Sequence, residues 1–396
     1  MKTDTSRRNF LAAGLALPVA GLASATSSPT PSALAPQQAA PTPGKITYRV
    51  LGKTGLKVCT VGYGCMITSD PTVISRAVDM GINYFDTSRG YQSGQNERMV
   101  GAALGAKRKD VFLSSKCDQR TGAGILAELD TSLKELQTDH LDVWLLHGKD
   151  TPDLIPDELV EAQRQAKQQG KVRFIGMSTH QLPAVVDRVI EAKLDVVQAQ
   201  YNFASAAAWG PALEKLHQAG VGLVAMKVMA RVMPGRGRGR GAAPPQAPPP
   251  PPKLPANFAP AALKWVLKNP IISTTVPSMT DIDQLEQNFS VMAQQQFTDA
   301  DQKILTARLQ EITPYFCRMC GQCAGQCPQG LPVGDMVRFV MYADGYGQFP
   351  LGREHFLRMS AEHQAVRCDQ CPTCVVQCPH GVTVRERMLR AQELFA

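Results

Sequence analysis

Residues 141–147, Leu141-Asp142-Val143-Trp144-Leu145-Leu146-His147, are the stretch of sequence that decides the fold. Five of these seven residues are large and apolar, which is typical of a parallel β-strand covered by helices on both faces. Comparable short runs rich in Val, Ile, Leu or Phe recur along the chain. The sequence therefore predicts strands at 58–62, 82–86, 111–115, 141–146, 172–177, 194–199, 221–226 and 272–276.

Between these runs the apolar residues adopt the spacing of amphipathic helices. Helices are predicted at 72–80, 96–105, 123–137, 155–169, 182–192, 210–219, 259–268 and 281–292. Alternating strands and helices within residues 45–313 predict an α/β fold, a (β/α)8 TIM barrel. A doubly wound sheet is the alternative. It would normally carry a glycine-rich phosphate turn, and the glycines of residues 52–64 do not form G-x-G-x-x-G.

Four ionisable residues lie at or just beyond the ends of successive predicted strands. They are Asp86, Tyr91, Lys116 and His147. A single histidine or lysine after a strand is usually an ordinary polar residue. Four together favour a functional site, because the chemistry of such barrels lies at the carboxyl ends of the strands.

Several motifs extend this pattern. They are LGKTGLKV at 51–58, NYFDTSRGY at 83–91, NERMVG at 96–101, LLHG at 145–148, GKVRFIGMS at 170–178 and QAQYN at 198–202. With these motifs in this order, the chain resembles the aldo/keto reductase family over roughly residues 46–310. The resemblance implies a catalytic tetrad of Asp86, Tyr91, Lys116 and His147, with a nicotinamide dinucleotide bound across the barrel mouth.

The residue types of this tetrad suit carbonyl reduction. A phenol alone titrates near pH ~10 and is a weak acid at neutral pH, so we expect the Lys116 ammonium to lower the pKa of Tyr91. Asp86 would keep Lys116 charged and oriented, and His147 would align the carbonyl oxygen. Tyr91 would then act as the general acid, or as the base in the reverse direction.

The resemblance also implies residues that contact the cofactor. Ser178 and Gln198 match positions that hold the nicotinamide amide, and Met226 and Lys227 stand where the family commonly stacks an aromatic ring. The family's pyrophosphate and adenine segment corresponds to Pro277, Ser278, Gln284, Gln287 and Asn288. Residues 269–302 contain no Lys or Arg, which argues against a preference for NADP over NAD.

Cysteine is concentrated at the end of the chain, where residues 317–396 hold eight of the 11 cysteines. Two copies of C-x2-C-x2-C-x3-C-P start at Cys317 and Cys368. This is the spacing of bacterial ferredoxins for [4Fe–4S] clusters, in which the fourth cysteine ligates the other cluster. We therefore predict two clusters, with the ligand sets Cys317, Cys320, Cys323, Cys378 and Cys368, Cys371, Cys374, Cys327.

Zinc sites and disulfides are the rival interpretations of this tail. Zinc does not require the third cysteine or the proline of each motif, and the close cysteine spacing is poor geometry for disulfides. The stretches 336–341 and 354–359 have helical patterns, so 314–396 is predicted to be a small, mostly α-helical ferredoxin-like domain. Residues 298–312 predict a capped helix between barrel and tail, with Thr298 as N-cap and Asp301 at N3.

Residues 1–25 have the layout of an export signal. Arg7 and Arg8 precede an apolar run at 10–23 and a small-residue cleavage site at 23–25. The segment resembles a twin-arginine signal, which predicts the export machinery as a partner and a periplasmic location. A cytosolic amphipathic start is the alternative. Residues 26–44 form a Pro/Ala/Ser linker.

Composition excludes other classes of protein. No apolar run reaches 18 residues, so no transmembrane segment is expected. The net charge of +8 is scattered, apart from three arginines in the low-complexity insertion at 234–255. These arginines lack interleaved aromatic residues, so we favour a solvated surface loop over nucleic-acid binding.

The leading hypothesis is an oxidoreductase that reduces a small-molecule carbonyl, or oxidises an alcohol, with a nicotinamide cofactor. Its two clusters would exchange electrons with a redox partner protein or carrier. One alternative is a non-enzymatic iron–sulfur electron-transfer module on an inert barrel. Another is a cytosolic reductase whose clusters are structural.

Overall fold

The computed structural model describes residues 45–205, 209–232, 254–255 and 257–396. The proposed export signal and the 26–44 linker lie outside the described residues. So does the 234–255 insertion, except for residues 254 and 255.

The described chain begins with an antiparallel hairpin of β1 (Tyr48–Val50) and β2 (Lys57–Cys59). The turn between them is closed by the Leu51 N–H, which donates to the Leu56 carbonyl at 2.9 Å. Gly55 in this turn has a left-handed φ of 74°, a conformation that glycine adopts without steric cost.

The strand predicted at 58–62 is wrong. Its first two residues belong to the hairpin, whose pairing uses their backbone groups. The first barrel strand is β3 (Tyr63–Gly64). Within the predicted segment, Val61 makes an isolated parallel bridge to Thr275. The alternation of apolar residues continues across both elements, so the sequence pattern does not reveal the break.

The other predicted strands are confirmed in one parallel sheet whose order follows the chain. After β3 come β4 (Tyr84–Asp86), β5 (Phe112–Cys117), β6 (Leu141–Leu146), β7 (Val172–Thr179), β8 (Val196–Gln200), β9 (Gly222–Met226) and β10 (Thr274–Thr275). All six residues of β6 are buried, as expected for a strand that has helices outside it and packed side chains inside it.

The sheet closes on itself through parallel bridges from Val61 to Thr275 and from Gly64 to Ser278. A Cβ atom on Gly64 would lie 2.4 Å from the carbonyl oxygen of Val276. Only glycine therefore permits this approach between the first and last strands. The predicted (β/α)8 barrel is confirmed.

Helices surround the sheet in the predicted alternation. They are α1 (Pro71–Asp79), α2 (Gln95–Leu104), α3 (Gly122–Glu135), α4 (Asp157–Gln168), α5 (Leu182–Glu191), α6 (Trp209–Gln218), α7 (Phe258–Leu267) and α8 (Ile282–Ser290). The predicted bridging helix is α9 (Asp299–Ile312), and Thr298 and Asp301 form the predicted capping box.

The tail is helical, as predicted. It contains α10 (Val333–Val340), a π-helical turn (Met341–Gly345), α11 (Phe349–Leu357), α12 (Ala361–Ala365) and α13 (Val384–Phe395). A second hydrophobic core joins the tail to the barrel. It combines Phe203, Ala230 and Phe258 of the barrel with Met336 and Phe395 of the tail. The tail and barrel therefore share buried apolar surface, which stabilises their contact.

Among the described residues, no helix combines the length and the apolar character that crossing a membrane requires.

Candidate functional site

Three neighbouring strand ends bring the predicted tetrad together. Asp86 is the last residue of β4, and Lys116 is the penultimate residue of β5. His147 directly follows β6, and its N–H donates to the Cys117 carbonyl at 2.7 Å. Tyr91 lies in the turn after β4. Because neighbouring parallel strands end at one rim of the barrel, these residues meet there.

Lys116 is the centre of this cluster. Its ammonium donates to Asp86 Oδ2 at 2.6 Å, to the Thr87 carbonyl at 2.7 Å and to Tyr91 Oη at 3.3 Å. Lys116 is 1% exposed and Asp86 is 3% exposed. The ion pair is therefore shielded from water, and its geometry is held by three acceptors on one ammonium.

His147 is held at the edge of the same cluster. Its Nδ1 lies 3.1 Å from Ser88 Oγ, and its ring packs edge-on against the Tyr91 ring with centroids 5.8 Å apart. Ser88 is a buried positioning residue that the sequence interpretation missed. It lies within the NYFDTSRGY motif, between the tetrad residues Asp86 and Tyr91, and its place in that motif could have identified it from the sequence.

Helix α2 anchors the turn that carries Tyr91. Arg89 donates to Glu97 at 2.5 Å, and Ser115 donates to the other oxygen of the same carboxylate at 2.6 Å. Thr87 donates to Asn96 Oδ1 at 2.6 Å. Asn96 and Glu97 of α2 therefore hold the loop at Thr87 and at Arg89. These bonds give a structural reason for the first two residues of the NERMVG motif.

Burial controls ionisation in the tetrad. Burial lowers the pKa of Lys116, and Asp86 opposes this change. Burial and then the Asp86 carboxylate raise the pKa of Tyr91 well above its usual 10. This direction is opposite to our expectation, because Asp86 offsets the Lys116 charge and the buried phenolate would lack solvation. Burial and then Lys116 lower the pKa of His147 well below 6.5, which keeps its imidazole neutral.

A cleft of about 540 Å³ opens beside the tetrad. Its lining consists of Gly64, Met66, Ile67, Asp86, Tyr91, Gln198, Met226, Lys227, Val228, Met229, Arg231, Val276, Pro277, Ser278 and Tyr346. Five of the predicted cofactor residues thus line this cleft together with the tetrad residues Asp86 and Tyr91. They are Gln198, Met226, Lys227, Pro277 and Ser278. Arg231 and Tyr346 were missed.

The other predicted cofactor residues lie outside this lining. Ser178 is buried, and its hydroxyl accepts the Gly148 N–H at 2.9 Å. Gln284 is at the start of α8, where its side chain bonds Thr280 at 2.9 Å. Gln287 is exposed on α8. Asn288 is buried, and its Oδ1 has no hydrogen-bond partner among the described residues.

Lys227 is the unusual cation of the cleft. Its ammonium lies 4.7 Å from the Tyr342 ring centroid and 4.6 Å from the Tyr346 ring centroid, and it approaches Met66 Sδ at 3.5 Å. Burial, and then Arg338 and Lys116, lower its pKa to about 7. Its backbone has a φ of 57°, which is strained for a residue with a side chain and occurs preferentially at functional sites.

The tail covers the barrel mouth next to this cleft. We name α10 and the π-helical turn, Val333–Gly345, the roof segment. Its Arg338 donates from Nη1 to Asp150 Oδ2 and to His180 Nδ1, both at 2.7 Å, and from Nη2 to Asp335 at 2.9 Å. Arg338, Asp150 and His180 are buried. Arg338 and His180 lower the pKa of the Asp150 carboxyl despite its burial.

The proton on His180 is fixed by this arrangement. Arg338 can only donate, so His180 Nδ1 must accept and its proton must be on Nε2. Nε2 lies 3.3 Å from Tyr342 Oη, to which it can donate. The Tyr342 ring stacks on His355 at 5.5 Å, and His355 stacks on Phe339 at 5.4 Å. The roof segment is therefore tied to the barrel by ionic contacts and hydrogen bonds, and to α11 of the tail by ring stacking.

The tail cysteines form two neighbourhoods. The thiols of Cys323, Cys320 and Cys378 help to raise the pKa of Cys317, after the larger effect of burial, and this raises it to about 12. Burial, and then Cys327, Cys371 and Cys374, raise the pKa of Cys368 to about 11. We name these the inner cysteine group (Cys317, Cys320, Cys323, Cys378) and the outer cysteine group (Cys368, Cys371, Cys374, Cys327).

Cys378 thus acts electrostatically on Cys317, and Cys327 on Cys368, in keeping with the interlaced ligand sets that the sequence predicts. Each group offers four thiols and lies against the second hydrophobic core, which suits a thiolate-ligated iron–sulfur cluster. Among the residues described, no three His, Cys, Asp or Glu side chains converge closely enough for a single metal ion. The three barrel cysteines, Cys59, Cys65 and Cys117, are buried and free.

Known proteins match both parts of the chain. The profile of the aldo/keto reductase family matches residues 69–248, and the profile of the 4Fe-4S dicluster domain matches residues 316–383. L-galactose dehydrogenase of Arabidopsis thaliana is 30% identical over 66% of this chain and 93% of its own length. The uncharacterised oxidoreductase YqkF of Bacillus subtilis is 26% identical over 66% and 96%, respectively.

A solved structure agrees with these similarities. The holo form of aldo-keto reductase AKR11C1 from Bacillus halodurans superimposes with a TM-score of 0.55 at 25% identity. The superposition covers 66% of this chain and 96% of that protein.

Proposed function

Because the chain belongs to the aldo/keto reductase family and is therefore an oxidoreductase, we propose that it interconverts a carbonyl compound and an alcohol at Asp86, Tyr91, Lys116 and His147. The observation that carries this proposal is the buried contact of Lys116 with both Asp86 and Tyr91, at 2.6 and 3.3 Å. A bound nicotinamide dinucleotide would supply or accept the hydride at this site.

Tyr91 holds the proton in the reductive direction. Its raised pKa keeps the phenol protonated at neutral pH, and an alkoxide that develops on the substrate is a far stronger base than a phenolate. Proton transfer from Tyr91 Oη is therefore favourable only as charge develops. The Lys116 ammonium then stabilises the phenolate that remains. The neutral His147 can donate one hydrogen bond to the substrate oxygen without adding a second cation.

The described residues fit a nicotinamide amide. Gln198 is 1% exposed, yet its Oε1 has no hydrogen-bond partner among the described residues. It lines the cleft beside Tyr91, so a ligand amide would satisfy an acceptor that is otherwise costly to bury. We propose that Gln198, Met226, Lys227, Pro277 and Ser278 hold the nucleotide, together with Ser178, Gln284, Gln287 and Asn288.

We also propose that the tail holds two [4Fe–4S] clusters, one on each cysteine group. Such a cluster exchanges one electron, whereas a hydride carries two. Oxidation of an alcohol to a carbonyl releases two electrons and two protons, and two clusters can together accept that pair. In the reductive direction, two one-electron carriers supply the electrons, and two protons complete the alcohol. A redox partner protein or carrier would thus couple to the barrel chemistry.

Export by the twin-arginine route to the periplasm completes the proposal. It is supported by the residue pattern at 1–25. It also suits a cluster protein, because clusters are inserted before export and this route accepts folded proteins. Fractionation that finds the full-length, uncleaved chain in the cytosol would contradict this part alone.

Anaerobic purification of the full chain tests both cofactors. Quantification of iron and sulfide is expected to give eight of each per chain, and mass spectrometry of the released ligand is expected to show NAD(H) or NADP(H). Cys371→Ala should lower the iron content, while the matched barrel substitution Cys59→Ala should retain all of it. Two zinc ions per chain in place of iron would overturn the assignment of the tail.

A further inference from the structure

We propose that the two cysteine groups act in a fixed order, in which the inner group faces the active site and the outer group faces the redox partner. This inference rests on the proposed function, because it presupposes clusters and a nicotinamide site. It goes further by assigning one group to each end of the electron route.

The loop that carries the inner group approaches the barrel at Gly321. Gly321, between two of its cysteines, is so close to Gln181 that an added Cβ would lie 3.4 Å from Gln181 Oε1. Gln181 follows His180, which is part of the buried contact with the roof segment. Asp335 of the roof segment acts electrostatically on Cys323 and also accepts from Arg338 at 2.9 Å.

Polar side chains continue from that point to the barrel. Arg338 links Asp335 to Asp150 and to His180 Nδ1, and His180 Nε2 lies 3.3 Å from Tyr342 Oη. Each of these contacts is within hydrogen-bond distance. Asp335, which acts electrostatically on Cys323, is thus connected to Tyr342 by close contacts through the interface of tail and barrel.

Tyr342 contacts Lys227, a residue of the active-site cleft. Its ring lies under the Lys227 ammonium at 4.7 Å, and Lys227 lines the cleft together with Asp86 and Tyr91. Tyr91 contributes to the raised pKa of Tyr342, after burial and the opposing Arg338. His355, stacked on Tyr342 at 5.5 Å, also contributes to the lowered pKa of His147. The Lys227 contact and these electrostatic effects connect Tyr342 to the tetrad.

The outer group is more exposed than the inner group, whose four cysteines are all only partly exposed. Cys374 is exposed, and its neighbour Val375 is 56% exposed. The backbone N–H groups of this loop donate to side chains of the tail itself. The Cys368 N–H donates to Gln392 at 2.9 Å, and the Gln377 N–H donates to Gln326 at 2.9 Å. A partner could approach this loop without displacing the roof segment.

The electron balance of this order is simple. In the reductive direction, two molecules of a one-electron carrier protein each give one electron at the outer group. The inner group would pass both electrons on to the nicotinamide site, where two electrons and one proton reduce the oxidised nucleotide. The hydride of the reduced nucleotide and one proton from Tyr91 then convert a carbonyl to an alcohol, so that two electrons and two protons are consumed overall. The reverse direction releases the same electrons and protons.

The test uses the matched variants Cys320→Ala and Cys371→Ala in the anaerobically purified full chain. These are the second cysteines of the two motifs. Each variant should lose or alter one cluster and leave the other intact. Electron paramagnetic resonance and potentiometric titration are then recorded with and without added NAD+ or NADP+. We expect the nucleotide to shift the spectrum and midpoint potential of the cluster that remains in Cys371→Ala, but not of that in Cys320→Ala.

A second pair of variants keeps all cluster ligands. Asp335→Asn removes a negative charge beside the inner group, and Asp369→Asn does so beside the outer group. Each should raise the potential of one cluster in the intact protein. The cluster that responds to nucleotide should be the one that Asp335→Asn shifts.

The outcomes separate the two proposals. If the cluster that responds to nucleotide is the one remaining in Cys320→Ala, or the one shifted by Asp369→Asn, the order is overturned while the proposed function stands. Equal responses from both clusters also overturn the order. Absence of iron, or of any nucleotide binding to the wild-type chain, would instead overturn the proposed function.

Discussion

The two sides of the active-site cleft differ in what surrounds the ammonium group of their lysine. On the barrel side, the Lys116 ammonium is paired with Asp86 at 2.6 Å. On the tail side, the Lys227 ammonium lies over two tyrosine rings and contacts Met66 Sδ. The ammonium on the barrel side thus has a carboxylate of the protein as its counter-ion. The Lys227 amine faces the cleft with its pKa lowered to about 7, and a bound anion such as a nucleotide phosphate or a substrate carboxylate would favour its protonated form.

The two sides also differ in how the chain assembles them. The tetrad residues lie within 61 positions of one another in the sequence and come from adjacent strand ends. The contact of Arg338 with Asp150 joins residues 188 positions apart. The barrel side is therefore a local product of the strand and helix alternation, while the roof segment depends on how a separate part of the chain packs.

The largest expected effect is on the barrel side. Tyr91→Phe removes the proton donor and should lower kcat by a factor on the order of 10²–10⁴. The comparison variant is Tyr84→Phe, which removes another buried phenol from β4 outside the cleft lining. Steady-state carbonyl reduction by both variants, with circular dichroism to check folding, tests this difference. Equal activity of Tyr91→Phe and wild type would remove Tyr91 from the chemistry.

The next effect is on the roof segment and concerns stability. Arg338→Met leaves the buried Asp150 carboxylate without its cation, so we expect a loss of about 3–5 kcal/mol in the free energy of unfolding. Arg358→Met also breaks a contact between tail and barrel, with Asp118. That pair is exposed, and its loss should cost about 0–1 kcal/mol.

Urea denaturation of both variants, under anaerobic conditions, measures this comparison. Similar losses for Arg338→Met and Arg358→Met would show that burial of the Arg338 contact has no special effect.

The smallest effect is a pH dependence at the same interface. Burial and Arg338 lower the pKa of His180 from 6.5 to about 4. Between these values the unfolded chain binds the proton and the folded chain does not, so stability falls as pH decreases through this window. Between pH 7.5 and 5.5, His180 should account for a loss of about 1 kcal/mol.

His180→Gln tests this dependence, because the glutamine amide can accept from Arg338 and donate to Tyr342 without titrating. Unfolding free energies at the two pH values should show a smaller pH dependence for His180→Gln than for wild type. His217→Gln on α6, far from this contact, should retain the wild-type dependence. An unchanged dependence in His180→Gln would mean that His180 does not link stability to pH.

Much of the site was predictable because its signals are local. Asp86, Lys116 and His147 each end an apolar run, so the expected barrel placed them together. The first strand was misplaced because β2 and β3 share one apolar pattern but pair with different neighbours. Arg338 was missed, although a lone arginine in the apolar run 336–341 is itself a signal, since arginine is seldom fully buried without a partner.

The sequence by itself determined the barrel and the cysteine motifs, because strand alternation and metal-ligand spacing are properties of short segments. The tertiary structure alone decided that the roof segment covers the barrel mouth and that Tyr342 and Tyr346 lie against Lys227. These features depend on packing between distant segments, which no local pattern encodes.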